Sequence, residues 1–208
     1  FEYHLYTLGR PTDIGVNQKK QVALLQAAGV ECRKEFLLQG QDFYYLAQAG
    51  EIGRKLKVGV FVELNNAKES GLGQPLPAGV VRVYKKDSSG LLQFVGEDRV
   101  DHTPEKERIR LHLGEAFDLT ADKRQVHFKK IAGSGPGSAV YESEYELTLK
   151  NAKKEKVEVK VREPLPGDWE MVAESIGHTK ESAHAALWKV VVPPQGTATL
   201  TYRVRVRL

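Results

Sequence analysis

Apolar and polar residues alternate along most of this chain. Leu56, Val58, Val60, Val62 and Leu64 are separated by Lys57, Gly59, Phe61 and Glu63. The same rhythm runs through Ile109–Leu113, Tyr145–Leu149, Val157–Val161 and Leu200–Leu208. Successive side chains of a strand point to opposite faces, so a two-residue period predicts strands with one packed and one wet face. Strands of that kind assemble into antiparallel sheets covered on one side, the arrangement of a sandwich.

Turn residues separate the strands. Asp87-Ser88-Ser89-Gly90 lies between Val80–Tyr84 and Leu91–Val95 and predicts a hairpin. Asn151–Lys154 and Pro193–Gly196 divide further pairs of apolar runs. Helical pattern is scarce. The one short candidate, Lys20 to Ala28, ends in Ala27-Ala28-Gly29 and is read as a hairpin turn. From Phe117 to Ile131 the apolar parity changes: Phe117, Leu119 and Ala121 share one phase, Val126 and Phe128 the other. A bulge or a passage between sheets produces such a change. The Gly133–Ser138 loop follows, and then about five strands in about 70 residues, close to a small immunoglobulin-like sandwich. The expectation is a mainly β chain of two packed β-sandwich-like units. Residues 1–116 form the N-terminal β domain and residues 117–208 an immunoglobulin-like one.

Composition narrows this only a little. The 208 residues are 41% hydrophobic and 28% charged, enough for a packed core. No run of about 18 apolar residues marks a membrane span. The net charge of +4, from 31 basic and 27 acidic residues, is too dispersed to suggest a nucleic-acid partner. The single cysteine, Cys32, is in phase with Val30, Phe36 and Leu38 and is read as a small buried hydrophobe.

The residues at the centre of the chain resemble a known family. Asn65-Asn66, Leu72-Gly73, Pro75-Leu76-Pro77-Ala78-Gly79 and Val81-Arg82-Val83-Tyr84 occur in order. Gly96-Glu97-Asp98, His102-Thr103-Pro104, Gly114–Asp118, Asn151 and Val157–Glu163 continue the series, and Lys19–Val30 is also similar. Together they resemble the bacterial domain of unknown function 4139 family, some of whose members are called mucoidy-inhibitor-like. The resemblance implies a mainly β fold and an exported, periplasmic or cell-surface protein whose signal peptide precedes the present residues. It carries over no catalytic residue.

Two segments are candidates for an interaction loop. Leu72, Gly73, Pro75 and Pro77 make the most unusual local sequence; prolines stiffen the backbone and remove donors, and glycines flank them. The simpler reading is a shaped connection to the next strand. Glu97, Asp98, Asp101 and His102 cluster within six positions. Paired carboxylates do acid–base work when their environments push their pKa values apart, but Asp, Thr and Pro also favour plain turns. The six histidines show no zinc-ligand spacing, and no cofactor is expected. Arg203, Arg205 and Arg207 share the wet face of the last strand; Glu144, Glu146 and Glu158 suggest cross-strand pairing rather than a polyanion site. Trp169 and Trp188 are expected in the core.

The sequence therefore points to a non-catalytic binding or scaffolding module of the cell envelope, with a protein partner or an envelope polymer as ligand. The alternatives are an enzyme acting on a cell-surface glycan or peptide through the Glu97–His102 segment, and a polyanion binder using the basic stripe.

Overall fold

The computed structural model describes residues 5–131 and 139–207. His4 and the Gly133–Ser138 loop lie outside the described residues. The chain is mainly β, as the alternation predicts. Among the described residues there are eleven strands: β1 (Cys32–Gln39), β2 (Glu51–Asn65), β3 (Gly79–Lys86), β4 (Leu92–Val100), β5 (Arg108–Ile131), β6 (Val140–Asn151), β7 (Val157–Pro164), β8 (Asp168–Glu174), β9 (Thr179–Ser182), β10 (Ala185–Val192) and β11 (Gly196–Arg207). Two single-turn 3-10 helices, Phe43–Tyr45 and Lys68–Ser70, are the only helical pieces among these residues.

Nine strands form one sheet in the order β8-β11-β6-β5-β2-β1-β7-β10-β9, and β3 and β4 form a separate two-stranded ribbon. The large sheet is mixed, because β1 and β7 run parallel. An immunoglobulin-like domain builds its two walls from separate antiparallel sheets. Here one continuous sheet supplies both. The inward residues Val157, Val159 and Val161 of β7 and Trp188, Val190 and Val192 of β10 share one core with Tyr145, Leu147 and Leu149 of β6 and Leu200, Tyr202, Val204 and Val206 of β11. The Trp188 and Tyr202 rings meet across it at 4.8 Å. The turns at Asn151–Lys154 and Pro193–Gly196 therefore carry the chain from one wall to the other, since β6 pairs with β11 and β5 while β7 pairs with β10 and β1.

The parity change in β5 is a bulge: its register with β6 shifts between Gln125 and His127, leaving Val126 outside the ladder. The hairpin of β3 and β4 forms as expected. Asp87 accepts from the backbone N–H of Ser89 and Leu91, the local pairing that makes Asp a turn residue. Residues 18–28 hold neither helix nor hairpin; they run as irregular chain. Cys32 is exposed rather than buried, because β1 turns its side chains inward only from Glu35 onward.

The residues group into two compact units. Unit 1 comprises Phe1–Arg33 and Val62–Leu111; unit 2 comprises Lys34–Phe61 and His112–Leu208. The sequence reading divides the chain near residue 117; in the structure the units interleave along the chain, and β2 and β5 each run from one into the other.

Candidate functional site

Unit 1 brings the two candidate loops together. Leu76 and Thr103 exchange backbone hydrogen bonds of 2.9 and 3.0 Å. Asn66, which follows β2 and is fully buried, stitches them further. Its Nδ2 donates to the carbonyls of Gln74 and Pro104, each at 2.8 Å, and its Oδ1 accepts from the Gln74 N–H at 3.2 Å. Burying an amide is tolerable when its donors and acceptor are used in this way. Gly73 is required here. Its φ is +61°, and a Cβ would lie 2.3 Å from the Lys68 Cγ and 2.5 Å from its backbone nitrogen. Leu72, Gly73, Pro75 and Pro77 thus form a shaped loop held against the segment after β4.

The acidic cluster does not converge. Glu97 pairs with Arg82 directly across the ribbon at 2.9 Å. Asp98 is the next residue of the strand and so faces the opposite side; its Oδ1 accepts from the Arg99 N–H at 2.8 Å. Asp101 uses its carbonyl to accept from the Thr103 hydroxyl, and His102 accepts from the Ala78 N–H through Nδ1 at 3.4 Å. Among the described residues no group of His, Cys, Asp and Glu is placed to hold a metal ion.

Beyond these loops unit 1 is unevenly covered. Of its large apolar side chains only Ile109 and Leu111 are buried among the described residues. On the ribbon, Val80, Tyr84, Leu92 and Phe94 are exposed on one face, with Tyr84 and Phe94 packed edge to face at 5.6 Å.

Unit 2 contains a cluster that the sequence reading missed. Lys123 of β5 and Glu163 of β7 are both buried, and Lys123 Nζ donates to Glu163 Oε1 at 2.6 Å. The same ammonium donates to the hydroxyls of Tyr44 at 2.6 Å and Tyr202 at 2.8 Å. Glu163 Oε2 accepts from Tyr44 and Tyr45. The Tyr45 proton being used there, Tyr202 donates to Tyr45 at 3.0 Å. Gln125 donates to the carbonyls of Tyr44 and Ala47 and accepts from the Ala49 N–H, and Tyr145 donates to the Tyr44 carbonyl. All three ammonium protons and both carboxylate oxygens have partners, which is the condition for a buried pair to be tolerated. The 3-10 turn at Phe43–Tyr45 is thereby clamped to strands from both walls. Gly40 admits it: a Cβ there would lie 2.0 Å from Glu163 Oε2 and 2.6 Å from the Tyr44 hydroxyl.

Burial sets the proton affinities of this cluster. It lowers the Lys123 pKa, against the pull of Glu163. It raises Tyr44, Tyr45 and Tyr202 well above the ordinary phenol value, with the Glu163 charge adding to the effect, and pushes Tyr145 up to about 12. A cavity of about 90 Å³ lined by Gly40, Phe43, Tyr44 and Ile52 reaches Lys123 and Glu163. A larger open groove of about 430 Å³ runs past Arg54, Asp122, Arg124 and Glu146. Its cations are already paired, Arg124 with Glu146 and Lys150 with Asp122.

The basic stripe of the last strand is likewise matched by acid. Arg203 pairs with Glu144 at 2.5 Å and Arg205 with Glu142 at 2.8 Å, each with its cross-strand neighbour. Trp188 is fully buried, its indole N–H donating to Glu174 at 2.9 Å. Trp169 departs from the expectation of a core position. It is only half-buried, with the Lys180 ammonium 4.9 Å from its ring and its N–H donated to the Ala183 carbonyl.

Comparison of the chain with protein-family models, with curated proteins and with solved structures finds no match in any of the three.

Proposed function

We propose that the chain is a non-catalytic binding or scaffolding module of the bacterial cell envelope, with unit 1 as its contact surface. The observation that carries this reading is the poor burial of unit 1. It leaves Leu5, Ile14, Val16, Val80, Tyr84, Leu91, Leu92, Phe94 and Val95 exposed while burying two large apolar side chains among its described residues. Isolated surface leucines need no explanation, but Val80, Tyr84, Leu92 and Phe94 lie on one face of the ribbon, and a contiguous exposed apolar face is the kind of surface that partners cover. Unit 2, by contrast, is held by its closed core and the Lys123–Glu163 clamp. The resemblance to the bacterial family of unknown function supports the exported, envelope location. No helix among the described residues is long and apolar enough to cross a membrane.

The test is co-sedimentation with isolated bacterial envelope fragments. The wild-type chain and a Val191→Ser control on unit 2 should be retained, and a Tyr84→Ser/Phe94→Ser variant released. Equal retention of all three, or retention of none, overturns the reading.

A further inference from the structure

The Lys123–Glu163 pair holds the two halves of an amide bond, an amine and a carboxyl, in contact and out of water. Their side chains are 2% and 1% exposed. Lys123 Nζ lies 2.6 Å from Glu163 Oε1, and the carboxyl carbon is one bond of about 1.23 Å further, so nitrogen and carbon are at most about 3.8 Å apart. Bonds form from separations of about 3–3.5 Å when the groups are held in place. Rings hold the nitrogen here: its distances to the Tyr44, Tyr145 and Tyr202 centroids are 4.1, 5.0 and 5.4 Å. The second carboxyl oxygen, Oε2, accepts from the hydroxyls of both Tyr44 and Tyr45. Two donors aimed at one carboxyl oxygen are the arrangement that stabilises the oxyanion of an acyl transfer. Gly40 leaves one side of the carboxyl uncovered, since a Cβ there would lie 2.4 Å from Glu163 Cδ. The cavity of about 90 Å³ beside the pair has room for a released water, whose share of liquid volume is about 30 Å³.

We propose that Lys123 and Glu163 condense in the folded chain to an amide bond, which ties β5 to β7 across the core of unit 2. The ion pair of the freshly folded chain is the reactant state. A proton passes from Nζ to Oε1 along their hydrogen bond, giving an amine and a carboxylic acid. The amine lone pair attacks Cδ and the N–C bond forms. The electron pair of the C=O bond moves onto Oε2, where the Tyr44 and Tyr45 hydroxyls hold it. A second proton passes from nitrogen to the Oε1 hydroxyl, the Cδ–Oε1 bond breaks, and water leaves as the carbonyl re-forms at Oε2. The ammonium gives up two protons and the carboxylate one oxygen; the two charges cancel, and nothing is oxidised or reduced. Burial lowers the Lys123 pKa, which eases the first transfer. Fixed geometry drives the rest: well-oriented intramolecular reactions reach effective molarities of about 10⁵ M or more. The buried site also excludes the bulk water that would reverse the step.

The test is the mass of the whole folded chain, followed from refolding onward at neutral pH. A species lighter by one water should accumulate. Trypsin should cease to cut after Lys123, and the digest should yield a branched peptide that joins Lys123 to Glu163. Lys123→Met/Glu163→Leu, which fills the core without either reactant, should keep the full mass of its sequence. Tyr45→Phe keeps both reactants and removes one donor from Oε2; it should form the product at least about tenfold more slowly. A thermal transition verifies that each variant is folded, and if Tyr45→Phe has none, the wild-type time course decides alone. A folded wild-type chain that keeps its full mass for days overturns the proposal, as does a lighter species whose link lies elsewhere. Equal rates in the wild type and a folded Tyr45→Phe overturn the step as written.

Discussion

The two units of this chain use the same strand chemistry to opposite ends. Unit 2 closes its sheet on itself, buries Trp188, Tyr202 and the valines of β7 and β10, and satisfies an ion pair at the centre. Unit 1 buries little, and its order comes from hydrogen bonds: the Leu76–Thr103 bridge and the Asn66 amide. Burial is the dominant favourable term in folding, while hydrogen bonds exchange protein partners for water with small net gain. Unit 2 should therefore hold most of the stability and unit 1 most of the sensitivity to a ligand.

The largest effect that tests this contrast is removal of one member of the buried pair. Lys123→Met leaves Glu163 charged among tyrosines in the core and should cost about 3–5 kcal/mol in denaturant unfolding. The double variant Lys123→Met/Glu163→Leu should recover much of that loss, because two apolar groups need no partner. Additive costs, or a single-variant cost under about 1 kcal/mol, would mean that Lys123 is not locked in the core.

Next in size is the comparison of the two tryptophans. Trp188→Ala opens a cavity in the shared core and should cost about 3–5 kcal/mol. Trp169→Ala removes a half-buried ring and should cost about 1–2 kcal/mol. Equal melting temperatures for the two variants would contradict the burial difference.

A third test reads the tyrosines by pH. The unfolded chain ionises them near the ordinary value of 10.0, whereas the folded chain holds its protons longer. Above that point the unfolded state binds fewer protons, so stability falls as pH rises. For Tyr145 the loss begins near pH 10 and continues to about 12. Lys123 acts with the opposite sign: its lowered folded pKa makes stability rise with pH up to the ordinary lysine value of 10.5. Tyr145→Phe should flatten the decline between pH 10 and 12, measured by denaturant unfolding against pH; an unchanged slope would remove Tyr145 from the cause.

What the sequence discloses follows from how local each signal is. Strand alternation is a property of neighbours, so β2, β5, β6, β7 and β11 and the turn at Asp87 are legible. The cluster in unit 2 is written in the same parity: Lys123 and Gln125 continue the inward phase of Leu119 and Ala121, and Glu163 continues that of Val157, Val159 and Val161. A lysine and a glutamate in those positions ordinarily signal that the strand has left the core. Only their meeting across 40 residues reverses that inference. The loop junction is hidden for the same reason, since Asn66 reaches partners 8 and 38 residues away. Conversely, Cys32 and Trp169 have apolar character and the right phase, but they sit where a strand begins or a wall ends.

The smallest expected effect gives the comparison its sharpest form. Tyr84→Ser/Phe94→Ser removes two aromatic rings, a change that in unit 2 would unfold the protein. On the ribbon both rings are more than half exposed, so water already meets most of the surface they present. What is lost is mainly their mutual edge-to-face packing, about 0.5–1.5 kcal/mol for a well-formed pair and less where solvent reaches both rings. The thermal midpoint should move by no more than a few degrees. A large drop would show that the rings hold unit 1 together and are not kept for a ligand. A small drop joined to loss of envelope binding would show the reverse: residues of high apolar content that contribute little to folding are retained because something outside the chain contacts them.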